Sequence, residues 1–88
     1  MILPTSPWFY TEYQLNDFVH AEIDKHQAEL AELYKSDMTM FEKKVRGIVI
    51  GTWQKKGAYG RETRERMDRI INGDIDFAKI QFSILCGE

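Results

Sequence analysis

Between residues 12 and 35 the apolar positions Leu15, Val19, Ile23, Leu30, Leu33 and Tyr34 fall on one stripe, with Asp17, Asp24, Lys25, Glu29 and Glu32 off it. Such spacing follows the 3.6-residue repeat of an amphipathic helix. In front of it, Thr11-Glu12-Tyr13-Gln14 has the form of a capping box, and Tyr10 and Leu15 are spaced as a hydrophobic staple. Val19, His26 and Leu33 take heptad position d, and Ile23 and Leu30 position a, a short seam that packs within the monomer or pairs two subunits.

Ser36-Asp37 interrupts the pattern, and Thr39-Met40-Phe41-Glu42 repeats the capping-box spacing at the start of a second helix over 39–55. Its core face is Met38, Phe41, Val45, Ile48, Val49 and Thr52, which leaves Ile50 and Trp53 outside the apolar arc. The β-branched, glycine-bearing run from Gly47 to Trp53 makes a strand the rival, but a strand would set Arg46 on one face with Ile48 and Ile50. Gly57-Ala58-Tyr59-Gly60 reads as a turn into a third helix over 61–72 with Thr63, Met67, Ile70 and Ile71 inward, and Gly73 is placed to stop it. Asp74 then caps a segment over 75–86 that fits two periods. Ala78, Ile80, Phe82, Ile84 and Cys86 alternate as in a strand, whereas Ile75, Ala78, Phe82 and Leu85 share a helical face, and helix is the preferred assignment. The fold class expected is mostly α: a small single-domain bundle of three to four helices over residues 1–88, with an aromatic N-terminal arm from Pro4 to Tyr10.

The chain has 88 residues, 43% apolar and 30% charged, enough for one core and too few for two. No apolar run approaches the eighteen or so residues that span a bilayer, and Met1-Ile2-Leu3-Pro4 lacks the basic start of a secretory signal. A membrane partner is therefore not expected, and the lone Cys86 fits a reducing, cytoplasmic location. The net charge of -2 conceals segregation: from Phe41 to Ile70 nine basic residues face four acidic ones, a local net of +5, and the remainder carries -7.

Catalytic, metal and cofactor signatures are all lacking, and the expectation is a non-enzyme. Glu22, His26 and Glu29 share helical spacing without a metal motif, Cys86 sits in an apolar segment, and Asp74 and Asp76 read as helix-start residues. The expected function is protein binding by surface occupation, as a stoichiometric inhibitor, adaptor or small subunit of the sort that phages and mobile elements commonly encode. The candidate contacts are the aromatics Trp8, Phe9, Trp53 and Tyr59, and the acidic residues Asp17, Glu22, Asp24, Glu29 and Glu32 as a surrogate for nucleic acid in a cationic groove. The alternative is nucleic-acid binding through the basic segment 43–69: Lys43, Lys44, Arg46, Lys55, Lys56, Arg61, Arg64, Arg66 and Arg69.

Overall fold

The computed structural model describes residues 10–87, which form four helices and no strand. Helix α1 runs Glu12–Lys25, α2 Gln27–Ser36, α3 Met38–Lys55 and α4 Arg64–Leu85, with a single 3-10 turn at Tyr59–Arg61 between α3 and α4. Trp8 and Phe9 of the expected arm lie outside the described residues.

The capping box forms as its residue types require. Thr11 Oγ1 accepts from the Gln14 amide at 3.1 Å and Gln14 Oε1 accepts from the Thr11 amide at 3.0 Å, so two donors without helical partners are satisfied. The single helix expected over 12–35 is broken at His26, whose φ of -106° and ψ of 21° leave the helical region. Its buried stripe, Leu15, Val19 and Ile23, advances in steps of four, and each step turns it about 40° round the axis. The next such step lands on polar Gln27, and the stripe resumes at Leu30 on α2. A break between them lets both pieces follow α3.

Helix α3 begins two residues earlier than a Thr39 cap implies. Asp37 is the N-cap, its Oδ1 accepting from the Met40 amide at 3.2 Å. It ends at Gly57, φ 73°, where the Gly57 amide donates to Gln54 O and the Ala58 amide to Trp53 O at 2.8 Å. That pair of bonds is the Schellman arrangement, and it needs a left-handed residue that glycine supplies without strain.

The largest departure lies in α4. Gly73 does not stop a helix and Asp74 does not start one, because 61–72 and 75–86 join into one 22-residue helix capped by Thr63. Gly73 keeps a negative φ there, and the residues on either side explain why. Met67, Ile71, Ile75, Ala78 and Phe82 form a continuous buried line through it, and that burial outweighs the roughly 1 kcal/mol that a mid-helix glycine costs.

Glu12 meets Arg66, His20 meets Phe77 and Asp24 meets Gln81, so α1 and α4 run parallel. Phe18 meets Lys56 and, on α2, Glu29 meets Lys44, while Arg46 meets Asp68 and Glu42 meets Lys79, so α3 runs against both. The bundle measures 49 × 26 × 16 Å. At one end of its core Phe41 stands edge-on to Tyr34 and Phe82, with ring centres 5.3 and 5.5 Å away. Toward the other end lies Trp53, wholly buried, with the Arg61 guanidinium 5.7 Å from its ring. No described helix is long and apolar enough to cross a membrane.

Candidate functional site

Two of the expected recognition features change in the folded chain. Trp53 is 0% exposed, so it belongs to the core and offers a partner nothing; of the candidate aromatics within the described residues only Tyr59 is exposed. The acidic residues do not share one face either. Asp17 and Asp24 stand seven apart on one side of α1, Asp24 bonding Gln81 of α4 at 3.2 Å, while Glu22 turns toward α3 and pairs with Lys25. Glu29 and Glu32 sit beyond the break, on α2.

Cross-helix pairing also softens the charge segregation. Arg66 bonds Glu12 at 2.8 Å and Glu62 at 2.9 Å, Lys44 lies 3.5 Å from Glu29, and Arg46 lies 3.6 Å from Asp68. Arg61 approaches Glu62 and donates to the Tyr10 carbonyl, and Lys56 lies 4.2 Å from the centre of the Phe18 ring. Lys43, Lys55, Arg64 and Arg69 make no ion pair among the described residues.

Two grooves flank α1. The groove against α3, about 430 Å³, is lined by Phe18, Glu22, Gly47, Gly51, Thr52, Lys55 and Lys56, with Lys25 and His26 at its end. It exists because Gly47 and Gly51 present no side chain, and a Cβ at either would meet nothing within 4 Å. Four of its groups can carry positive charge against one carboxylate, so it suits an anion.

The groove against α4, about 360 Å³, differs in chemistry. Glu12, Asn16 and His20 line it from α1, and Arg66, Arg69, Ile70, Gly73, Asp74 and Phe77 from α4. Asp74 is 6% exposed, and its Oδ2 has no hydrogen-bond partner among the described residues; the same holds for the buried Oδ1 of Asn16. Burial pushes the Asp74 carboxyl up to about 6, with Glu12 adding to the rise and His20 opposing it. The His20 and Phe77 rings stack at 4.4 Å with planes 13° apart, forming one aromatic wall. Reading Asp74 as a cap hid this site. Had the α4 period been carried through Gly73, Asp74 would have fallen on the line of Met67, Ile71 and Ala78, a charge on a core arc.

Beside this groove, the outward side of α4 is apolar. Phe77 is 47% exposed, Ile80 63% and Ile84 75%. With Gly73 they span about 60° of the helix wheel, centred about 140° from the core line. Comparison with protein-family models, curated proteins and solved structures returned no match. Among the described residues no three of His, Cys, Asp and Glu are grouped to hold a metal ion, and His26 and Glu29, from the spacing considered above, stand 4.0 Å apart as a loose pair.

Proposed function

We propose that the chain is a non-enzymatic protein-binding module that acts by occupying a partner's surface, with the outward face of α4 as its contact. One observation supports this above the others: α4 fills the core with one side and holds Phe77, Ile80 and Ile84 in solvent on the other. A helix needs one apolar stripe to fold against a bundle, and a second stripe serves association. Phe77, Ile80 and Ile84 follow the i, i+3, i+7 spacing with which a helix meets an apolar groove or another helix. Inhibitor, adaptor and small subunit are all uses of such a contact, and the free Cys86 suits a reducing, cytoplasmic setting.

A photo-crosslinking residue at position 80, compared in cells of the native host with one at position 51 in the opposite groove, tests this. Position 80 should trap a defined protein, and Ile84→Glu should suppress the product while circular dichroism stays helical. Trapping from position 51 alone would overturn the proposal.

A second reading, nucleic-acid binding through segment 43–69, draws on the α1/α3 groove, where Lys55 and Lys56 stand beside Lys25 and the Phe18 ring. It requires binding that weakens steeply between ~50 and ~200 mM salt. Because Arg46, Arg66 and Lys44 are held by carboxylates, Lys55→Glu with Lys56→Glu should abolish that binding, and unchanged affinity would remove this reading.

A further inference from the structure

We infer that the α1/α4 groove is a receptor for a guanidinium group, the arginine side chain of the partner helix that docks on α4, with Asp74 as the anion that receives it. The inference rests on the proposed function for the source of the arginine, and on the groove alone for the site.

An ionised carboxylate enclosed by protein and left without a donor is costly, and native chains ordinarily pair it. Asp74 is enclosed, its Oδ2 is unpartnered, and the neighbouring Asn16 Oδ1 is a second buried acceptor without a donor. A group that satisfies both acceptors must donate several hydrogen bonds and carry positive charge. A guanidinium supplies five N–H donors in a plane, and it stacks on aromatic faces as an ammonium does not. The His20–Phe77 wall in the same groove is such a face.

The charges facing Asp74 fit this occupant. From α1 come Glu12 and His20, and from α4 Arg66 and Arg69. Arg66 is held between Glu12 and Glu62 at 2.8 and 2.9 Å, which diverts it from Asp74. Arg69 makes no ion pair among the described residues, and it biases the occupant toward the Phe77 end of the groove. At that end the exposed carboxylates Asp24 and Asp76 flank Phe77 and Ile80, so the stripe has an acidic border. A basic amphipathic helix meets all three features together: apolar anchors on Phe77, Ile80 and Ile84, an arginine in the groove, and further basic residues over the border.

The test uses the whole chain and two probes, Nα-acetyl-arginine methylamide and its neutral citrulline counterpart. Titration followed by NMR should shift the His20 and Phe77 ring signals with the arginine probe, at millimolar affinity, and leave them in place with citrulline. Asp74→Asn should weaken arginine binding at least tenfold, whereas Asp76→Asn should change it less than twofold. Below pH 6 the affinity should fall, since a proton on Asp74 removes the anion that receives the cation. Equal shifts from both probes, no shift from either, or wild-type affinity in Asp74→Asn would overturn the site. The two proposals fail separately: a bound arginine probe with no crosslink from position 80 refutes the helix-docking function and leaves the groove standing, and a crosslink without probe binding does the reverse.

Discussion

The grooves on the two sides of α1 are of similar size and opposite construction. Against α3 the space comes from what is missing, because Gly47 and Gly51 leave a trough that Lys25, Lys55 and Lys56 border. Against α4 the space surrounds a group that costs stability, the enclosed carboxyl of Asp74 beside the equally unpartnered Asn16 Oδ1. Empty space over glycine is cheap and says little about a ligand. A buried charge without a donor is expensive, which is why the second groove carries the inferred guanidinium site.

The largest expected effect lies in the core that the helices share. Trp53→Ala should cost about 3–5 kcal/mol and leave the chain largely unfolded, because the indole is wholly enclosed. A surface anchor would instead weaken association and spare the melting temperature, so thermal unfolding monitored by circular dichroism separates the two roles.

Asp74→Asn should act in the opposite direction. The folded-state carboxyl holds its proton up to about 6, against an ordinary 3.8, so ionising it opposes folding. The penalty is absent below about pH 4, grows between pH 4 and 6, and is complete above that. The interval converts to roughly 3 kcal/mol at most, and the open side of the groove trims this to about 1–2 kcal/mol. Denaturant titrations should therefore show the variant more stable than wild type at pH 7.5 and level with it at pH 4. A gap of the same size at both values would mean that the charge is not what matters.

The same two grooves show how far the sequence carries. The stripe Leu15, Val19, Ile23, the Thr11 capping box and the turn at Gly57 are local patterns, and each appears where its spacing implies, because a cap or a period is decided by residues within a turn or two of one another. The break at His26 is not legible in that way, since no glycine or proline marks it and it serves the packing of two helix pieces on α3. At Gly73 the local signal pointed the wrong way, and a tertiary one, the burial of Ile71 and Ile75 on either side, prevailed. The outward stripe is half visible: Ile80 and Ile84 fit one side of a strand alternation and lie off the Ile75, Ala78, Phe82 face of the preferred helix, and only the formed helix turns them away from Phe82. Trp53 shows the converse, an aromatic one position outside the apolar arc legible in α3 that the folded core takes in. Ion pairs such as Glu12–Arg66 join residues 54 apart in sequence, and no spacing rule reaches them.

The α1/α3 groove is open to a smaller test. Gly47→Ala and Gly51→Ala should each stabilise the fold by about 0.5–1 kcal/mol, since both sit inside α3 with free space for a methyl group. Urea midpoints read this directly. If both gains appear and the second reading is right, the narrower trough should also weaken binding of single-stranded nucleic acid. If the gains appear and nothing else changes, the glycines are tolerated defects.

The smallest expected effect concerns the ion pairs that close the other groove. Arg66 spans α1 and α4 by holding Glu12 and Glu62, but its side chain is 53% exposed, and exposed pairs contribute about 0.2–1 kcal/mol. Arg66→Gln should thus lower stability by no more than about 1 kcal/mol at low salt, and the difference should shrink toward zero near 1 M salt, where charges a few ångströms apart are screened. The substitution bears on the groove as well. It removes a positive charge from the lining and releases Glu12, which should tighten binding of the arginine probe while the fold weakens slightly. A variant that lost stability and probe affinity together would show that Arg66 shapes the groove through Glu12, and that its position there matters more than the charge it adds.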